Sequence, residues 1–197
     1  MRAYEILPIL ALGPESAQSL PELTEMVIWS IMVRVDVCIG NIAWEIADQY
    51  DLIGSTTSYN QLSTSLLLCE KLKRISPATV TVLGGALVSG KLGPSIINEY
   101  GFIDFTIQRE GEYPLNALVG QLEEKDFEAI ERTDGILTCN NALDHKDGVE
   151  LWQVTDPDEL PFPDYDDYAE RIGERDRILP IEGSMGYWWG RCRFCNN

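Results

Sequence analysis

Three short polar loops stand out in the middle of the chain, each directly after an apolar run. They are rich in hydroxyl, amide and glycine residues: Ser55, Thr56, Thr57, Ser58, Tyr59, Asn60 and Gln61 in the first, Gly84, Gly85 and Ala86 in the second, and Glu110, Gly111 and Glu112 in the third. Hydroxyls and amides offer neutral hydrogen-bond partners, and glycines let the backbone approach a large flat ligand. One such loop alone is explained as well by a turn and a helix cap. Three together favour a binding crevice.

Two cysteines near the end of the sequence have the spacing of metal ligands. Cys192 and Cys195 form a C-x-x-C pair, which places both sulfurs on one side of a short turn, where they can hold a metal ion or one edge of a cluster. The pair is half a site, because a zinc ribbon needs a second pair. The alternative is two incidental thiols. Cys38, Cys69 and Cys139 are scattered among apolar residues and are expected in the core, which favours a reducing, cytoplasmic setting.

Other common catalytic sites are not expected. No Gly-x-Gly-x-x-Gly follows an apolar run, so a dinucleotide site lacks its phosphate cradle, and we expect no P-loop either. The single histidine, His145, lies beside a predicted turn, where a solvated residue is expected. A Ser–His–Asp site is therefore not expected.

Apolar runs alternate with helical segments from residue 51 onward. Strands are predicted at 51–55, 79–83 and 102–107, and helices after Thr57 or Ser58 as cap, at 92–100 and at 115–124. Three strand–loop–helix units in succession predict an α/β fold with a parallel sheet and helices on both faces. Residues 135–139 and 149–154 are expected to form an appended hairpin. Residues 1–50 give no clear pattern.

Charge and hydropathy exclude several kinds of partner. The chain carries a formal net charge of −17, and 21 acidic against 7 basic residues fall within 101–180. Nucleic acid and anionic membrane surfaces require basic patches, so neither is an expected partner. The apolar run at 26–33 is interrupted by Ser30 and followed by Arg34, and it is shorter than the roughly 20 residues of a membrane span. No membrane segment and no signal peptide are predicted.

The composition changes after residue 154. Residues 155–178 are acidic and rich in proline, which is typical of an extended, solvated linker. Residues 179–184 have the pattern of a first strand of a further domain. We therefore expect the chain to stop shortly after a second domain begins.

Five segments occur in the order of a known family. They are Asp-Leu-Ile-Gly-Ser-Thr-Thr-Ser-Tyr-Asn-Gln at 51–61, Val-Leu-Gly-Gly at 82–85, Glu-Gly-Glu at 110–112, Leu-Pro-Phe-Pro-Asp-Tyr-Asp-Asp-Tyr at 160–168, and Trp-Trp-Gly at 188–190 with Cys192 and Cys195. Together they resemble cobalamin-binding radical SAM proteins, most closely the group that matures ribosomally made peptides by C-methylation. The resemblance runs from about residue 51 to the end.

The resemblance implies a fold, cofactors and a substrate class. Residues 1–154 would form a Rossmann-like (flavodoxin-like) corrinoid domain, 155–178 a linker, and 179–197 the start of a truncated radical SAM barrel. The three loops would cradle cobalamin, and Cys192 and Cys195 would hold a 4Fe-4S cluster that cleaves S-adenosylmethionine. The full-length family methylates an unactivated carbon of a peptide, with the hard chemistry supplied by the cofactors. Because the barrel is missing, this chain alone is expected not to catalyse methylation.

Several positions depart from the family pattern. Tyr187 stands where the first cluster cysteine is expected, and tyrosine is a poor substitute for a soft thiolate. Met185 replaces a usual arginine, and Arg109 replaces the first glycine of Gly-Glu-Gly-Glu. The sequence has no Asp-x-His-x-x-Gly motif to ligate cobalt.

Two alternatives remain open at the level of sequence. The first is a stand-alone or degenerate corrinoid-binding module without a cluster. The second is a flavodoxin-like or receiver-like signalling domain with the same sheet. A receiver needs an acidic cluster at the strand ends, whereas these loops carry mainly hydroxyls and glycines.

Overall fold

The computed structural model describes residues 20–144 and, farther along the chain, residues 158, 160–162, 164–166, 168 and 178. In chain order the elements are α1 (Leu20–Ile46), β1 (Leu52–Thr56), a short 3-10 helix (Tyr59–Gln61), α2 (Leu62–Ile75), β2 (Val80–Gly84), α3 (Leu92–Glu99), β3 (Phe105–Ile107), α4 (Glu112–Glu124), α5 (Phe127–Arg132) and β4 (Ile136–Leu137). His145, the predicted strand at 149–154 and the segment 179–197 lie outside the described residues.

The four strands form one open sheet in the order β1-β2-β3-β4. β1, β2 and β3 run parallel, and β4 is antiparallel to β3. A helix connects each parallel pair, because a parallel connection must cross back over the sheet. The predicted α/β class with a mostly parallel sheet is confirmed, and the first strand of the predicted hairpin is present as β4.

Helices cover both faces of the sheet. Successive side chains of a strand point to opposite faces. Val82 of β2 shares a buried cluster with Leu118 of α4 and Ile130 of α5. The next residue, Leu83, shares a second cluster with residues of α2 and α3, including Ile96. The near-continuous apolar character of β2 is thus explained by burial on both sides.

The first helix, α1, packs on the domain only through its C-terminal half. Ala43 and Ala47 are buried in a cluster with Ile53 of β1 and Leu72 of α2. Asp36 forms an ion pair with Lys71 of α2, with Oδ1 and Nζ 2.7 Å apart. The small alanine side chains let the two helices lie close together.

The N-terminal half of α1 is exposed. Every residue from 24 to 38 is exposed, including Trp29 at 67%. The helix continues through Ser30 and Arg34, so the apolar run at 26–33 is part of a longer helix. Thr24–Ile46 is long and apolar enough to cross a membrane by length and composition, a test that core helices and signal sequences also pass. The expected cytoplasmic location, without a membrane partner, stays a prediction.

The helix starts differ in detail from the predictions. Neither Thr57 nor Ser58 caps α2, since a 3-10 turn intervenes and Gln61 holds the cap position without a side-chain hydrogen bond. The Thr57 hydroxyl donates to Gly84 O instead. α4 begins three residues earlier than predicted, with Pro114 in its first turn, where the missing N–H is harmless. α5 was not predicted, and Asp126 caps it by accepting from Ala129 N at 2.9 Å.

A charged group of contacts closes the amino-terminal edge of the sheet. Asp104, just before β3, accepts hydrogen bonds through Oδ2 from Thr81 N at 2.7 Å and Thr81 Oγ1 at 3.0 Å. Lys73, near the end of α2, pairs with the same oxygen at 2.6 Å and donates to Thr79 O at 2.7 Å. These contacts tie α2, β2 and β3 together at the edge opposite the polar loops.

Candidate ligand-binding site

The first two polar loops are joined through Thr57. Its backbone N–H and its hydroxyl both donate to Gly84 O, each at 2.8 Å. Thr57 is fully buried. A residue predicted to cap a helix therefore holds the loop after β1 to the carboxyl end of β2.

Gly85 allows these two loops to touch. Its φ is +97°, a backbone conformation that favours glycine. A Cβ at this position would lie 2.9 Å from Thr56 Oγ1 and 3.0 Å from Thr57 N. At Gly84, by contrast, a Cβ would meet no atom of the described residues within 4 Å. Gly85 is required for the close contact, whereas Gly84 leaves open space beside the strand end.

Ser89, three residues after the second loop, joins that loop to Arg109, directly before the third loop. Its hydroxyl accepts from Arg109 N at 2.9 Å and donates to Gly85 O at 3.3 Å. Gln108, directly after β3, donates through Nε2 to Val88 O at 2.7 Å. The three loops predicted from sequence therefore meet at the carboxyl ends of β1, β2 and β3, as expected for an open parallel sheet.

The first two loops are uncharged, whereas the third carries two glutamates. Thr56, Asn60, Gln61 and Ala86 are exposed, and Ser55, Ser58, Gly84, Gly85, Glu110 and Gly111 are half-buried. Glu112 is the first residue of α4, where a carboxylate suits the helix dipole. Hydroxyl, amide and backbone groups thus dominate what a ligand would meet at the first two loops.

Cys69 lies beneath the first loop as a neutral thiol. Burial raises its pKa to about 11, and a hydrogen bond with the Ser55 side chain offsets part of this rise. A protonated thiol is a poor metal ligand and a poor nucleophile. Cys69 is buried as predicted, but Cys38 and Cys139 are exposed, so the prediction that all three lie in the core is wrong for those two. Cys38 lies on the exposed half of α1, and Cys139 follows the two-residue strand β4.

The structure does not test the predicted cluster ligands. Cys192 and Cys195, together with Tyr187 and Met185, lie outside the described residues. Within the part of the chain that is described, no three or more His, Cys, Asp or Glu side chains group as metal ligands would.

Three residues that join the loops were not identified from sequence. Ser89 bridges the second and third loops, Gln108 fixes the second loop from below, and Gly93 of α3 admits Gln108, because a Cβ there would lie 2.3 Å from Gln108 Nε2. A polar residue at the end of an apolar strand was the available signal for Gln108.

The same loop also corrects the expectation that no P-loop pattern is present. Residues 85–91 read Gly-x-x-x-x-Gly-Lys between β2 and α3. Leu92 stands where a P-loop has the Ser or Thr that ligates Mg²⁺. Val88 O and Ser89 Oγ already accept hydrogen bonds from Gln108 Nε2 and Arg109 N. The pattern is therefore incomplete as a phosphate site.

No family model, no curated protein and no solved structure matches this chain.

Proposed function

We propose that this chain is the corrinoid-binding N-terminal portion of a cobalamin-dependent radical SAM enzyme that would methylate an unactivated carbon of a peptide. The observation that carries the proposal is the joining of three polar loops at the carboxyl edge of a parallel sheet. Direct hydrogen bonds run from Thr57 to Gly84 and from Gly85 through Ser89 to Arg109. A site held in place before binding loses less entropy when a ligand arrives.

The residues at this edge fit a corrinoid in kind. A corrinoid is a large ring bordered by neutral carboxamides, which pair with hydroxyls, amides and backbone groups. Thr56, Asn60 and Gln61 present such side chains. A Cβ at Gly84 would meet no atom of the described residues within 4 Å. A ligand can therefore approach the backbone closely at this position.

The backbone at Arg109 supports the alignment with the family. This position has glycine in the family pattern, and in this chain its φ is +55°. A non-glycine residue in the left-handed region costs about 1–2 kcal/mol. The site thus keeps a conformation for which glycine is the natural residue, although the side chain has changed.

The cluster half of the proposal rests on sequence alone. Cys192 and Cys195 are the residues that would hold a 4Fe-4S cluster. When bound, such a cluster supplies the electron that cleaves S-adenosylmethionine. Because Tyr187 stands at the position of the first cluster cysteine, we propose that residues 1–197 bind the corrinoid but do not methylate by themselves.

The direct test is corrinoid retention. Purified full-length chain is incubated with hydroxocobalamin and passed over a desalting column, and the absorbance that coelutes with protein is measured. We expect about one corrinoid per chain. No retained corrinoid absorbance would overturn the proposal. Mg–ATP in the same assay is the control ligand, and its retention in place of the corrinoid would instead favour a phosphate site at 85–91.

Anaerobic iron–sulfur reconstitution separates the proposal from its closest alternative. A stable 4Fe-4S spectrum that is lost in a double variant, Cys192→Ala with Cys195→Ala, would support the radical SAM lineage. Corrinoid retention by protein that holds no iron would instead identify a carrier module without a cluster. Bound flavin in the purified protein would favour a flavodoxin-like domain.

A further inference from the structure

Gln108 carries an unpaired buried oxygen. The residue directly follows β3 and is 3% exposed. Its Nε2 donates to Val88 O at 2.7 Å, which fixes the orientation of the carboxamide, because the flipped form would bring two oxygens together. Its Oε1 has no hydrogen-bond partner, and among the described residues no other buried side-chain polar atom lacks one.

This oxygen lies at the junction of the second and third loops. Val88, which accepts from Gln108, follows the second loop by two residues, and the N–H of Arg109, directly before the third loop, donates to Ser89 Oγ. Gly93, in the first turn of α3, leaves the room that the carboxamide occupies. The unpaired acceptor is therefore part of the candidate site and not of the distant core.

A buried acceptor without a partner is costly, so native proteins rarely keep one without a reason. We propose that Gln108 Oε1 accepts a hydrogen bond from a carboxamide N–H of the bound corrinoid. This inference rests on the proposed function and adds a specificity residue to it. Residues 86–89 lie between Gly85 and Gly90, whose φ values are +97° and +72°. Glycine at both ends allows residues 86–89 a small local shift that admits the donor, while the bond from Thr57 to Gly84 O keeps the first two loops together.

The test compares two corrinoids that differ in donors. Dicyanocobinamide carries carboxamide N–H groups, whereas the heptamethyl ester of cobyrinic acid carries none. Dissociation constants for both are measured by absorbance titration with the full-length chain and with Gln108→Met, which keeps the length of the side chain and removes its polar atoms. We expect the wild-type preference for the amide corrinoid to fall about tenfold in the variant, the value of one hydrogen bond.

The matched control is Gln121→Met, the same chemical change at a half-buried glutamine. Gln121 lies on α4, donates through Nε2 to Thr133 Oγ1 at 2.9 Å and belongs to none of the loops. The preference for the amide corrinoid should stay at the wild-type value there. If the thermal midpoint shows that Gln108→Met does not fold, Gln108→Asn takes its place. The side chain of asparagine is one methylene shorter, so its carboxamide oxygen and nitrogen no longer reach the positions of Gln108 Oε1 and Nε2.

Each outcome bears on a separate claim. An unchanged preference in a folded variant would overturn the role of Gln108, as expected if a water molecule satisfies its oxygen, and would leave the proposed function standing. Wild-type protein that binds neither corrinoid would overturn both claims together.

Discussion

The two edges of the parallel sheet are built from different chemistry. At the amino-terminal edge, one carboxylate oxygen of Asp104 receives an ammonium, a backbone N–H and a hydroxyl. At the carboxyl edge, the joining residues are Thr57 and Ser89, and their hydrogen bonds are neutral. The contacts at the amino-terminal edge hold two strands and a helix together, and they leave few hydrogen-bonding groups for a ligand. The second joins the loops and leaves hydroxyls and amides at the surface.

This difference indicates how the sheet separates stability from binding. A half-buried charge needs several partners at once, so Asp104 and Lys73 are fully occupied with structure. A hydroxyl needs only one donor and one acceptor, so a few hydroxyls can join the loops while their neighbours stay free. Variants at the two edges should therefore separate into those that lower stability and those that lower affinity.

The largest expected effect is at the amino-terminal edge. Asp104→Ala leaves Lys73 and the N–H of Thr81 without their partner, and we expect a loss of about 2–3 kcal/mol in the free energy of unfolding. Urea denaturation measures it. The control is Glu70→Ala, which breaks the exposed pair with Arg74 and should cost less than about 0.5 kcal/mol. Equal costs would show that the group at Asp104 is not a structural closure, and weaker corrinoid binding by folded Asp104→Ala would contradict the separation of the edges.

The next effect lies at the carboxyl edge. Gly85→Ala places a methyl group against Thr57 N in a backbone conformation unsuited to alanine. We expect a loss of about 2 kcal/mol in stability and at least a tenfold loss in corrinoid affinity.

Asp104→Ala is the matched control for this change, because its expected stability cost is of similar size and Asp104 lies at the opposite edge of the sheet. Its corrinoid affinity should be unchanged. If both variants lose affinity equally, the loss reflects general destabilisation and not a site.

A smaller effect is expected for the hydroxyl that joins the first two loops. Thr57→Val removes the bond to Gly84 O and keeps the backbone bond, so we expect a cost of about 1 kcal/mol and a severalfold loss in corrinoid affinity. Thr64→Val, at an exposed position of α2, should change the free energy of unfolding by less than about 0.5 kcal/mol. Thermal and urea denaturation with absorbance titration check both. Wild-type affinity in Thr57→Val would remove this residue from the site.

The strands and their shared edge could be predicted from sequence, because apolar runs bounded by glycine and hydroxyl residues carry their own signal. The short β3 and the joining of the loops could not. Threonine is a common helix cap, so the sequence around Thr57 predicts that role. Its hydroxyl instead donates to Gly84 O of β2, a partner that only the tertiary structure supplies. Ser89 and Gln108 act across 20 residues of sequence, so no local pattern identifies their partners.

The position of the N-terminal helix also could not be predicted from local sequence. Its apolar residues continue around the helix without a period that marks one buried face, so residues 20–37 gave no clear prediction. Contacts with Ile53 and Leu72 bury Ala43 and Ala47. Such contacts come from tertiary structure, which often overrides local preference.

The smallest effect concerns the neutral character of the carboxyl edge, which extends to the thiol beneath it. Because burial raises the pKa of Cys69 to about 11 from an ordinary 9.0, the unfolded chain loses this proton at lower pH than the folded one. Stability is therefore lost as the pH rises from about 9 to 11, by about 1 kcal/mol at pH 10. The comparison is urea denaturation of wild type and Cys69→Ala at pH 8 and pH 10. The free energy of unfolding of Cys69→Ala should be lower than that of wild type at pH 8, because the substitution leaves a cavity. It should decrease less between pH 8 and pH 10, because the variant has no thiol to titrate at this position. If the free energy of unfolding falls equally in wild type and Cys69→Ala, the Cys69 thiolate is tolerated beneath Ser55. The buried layer under the carboxyl edge would then not require a neutral side chain.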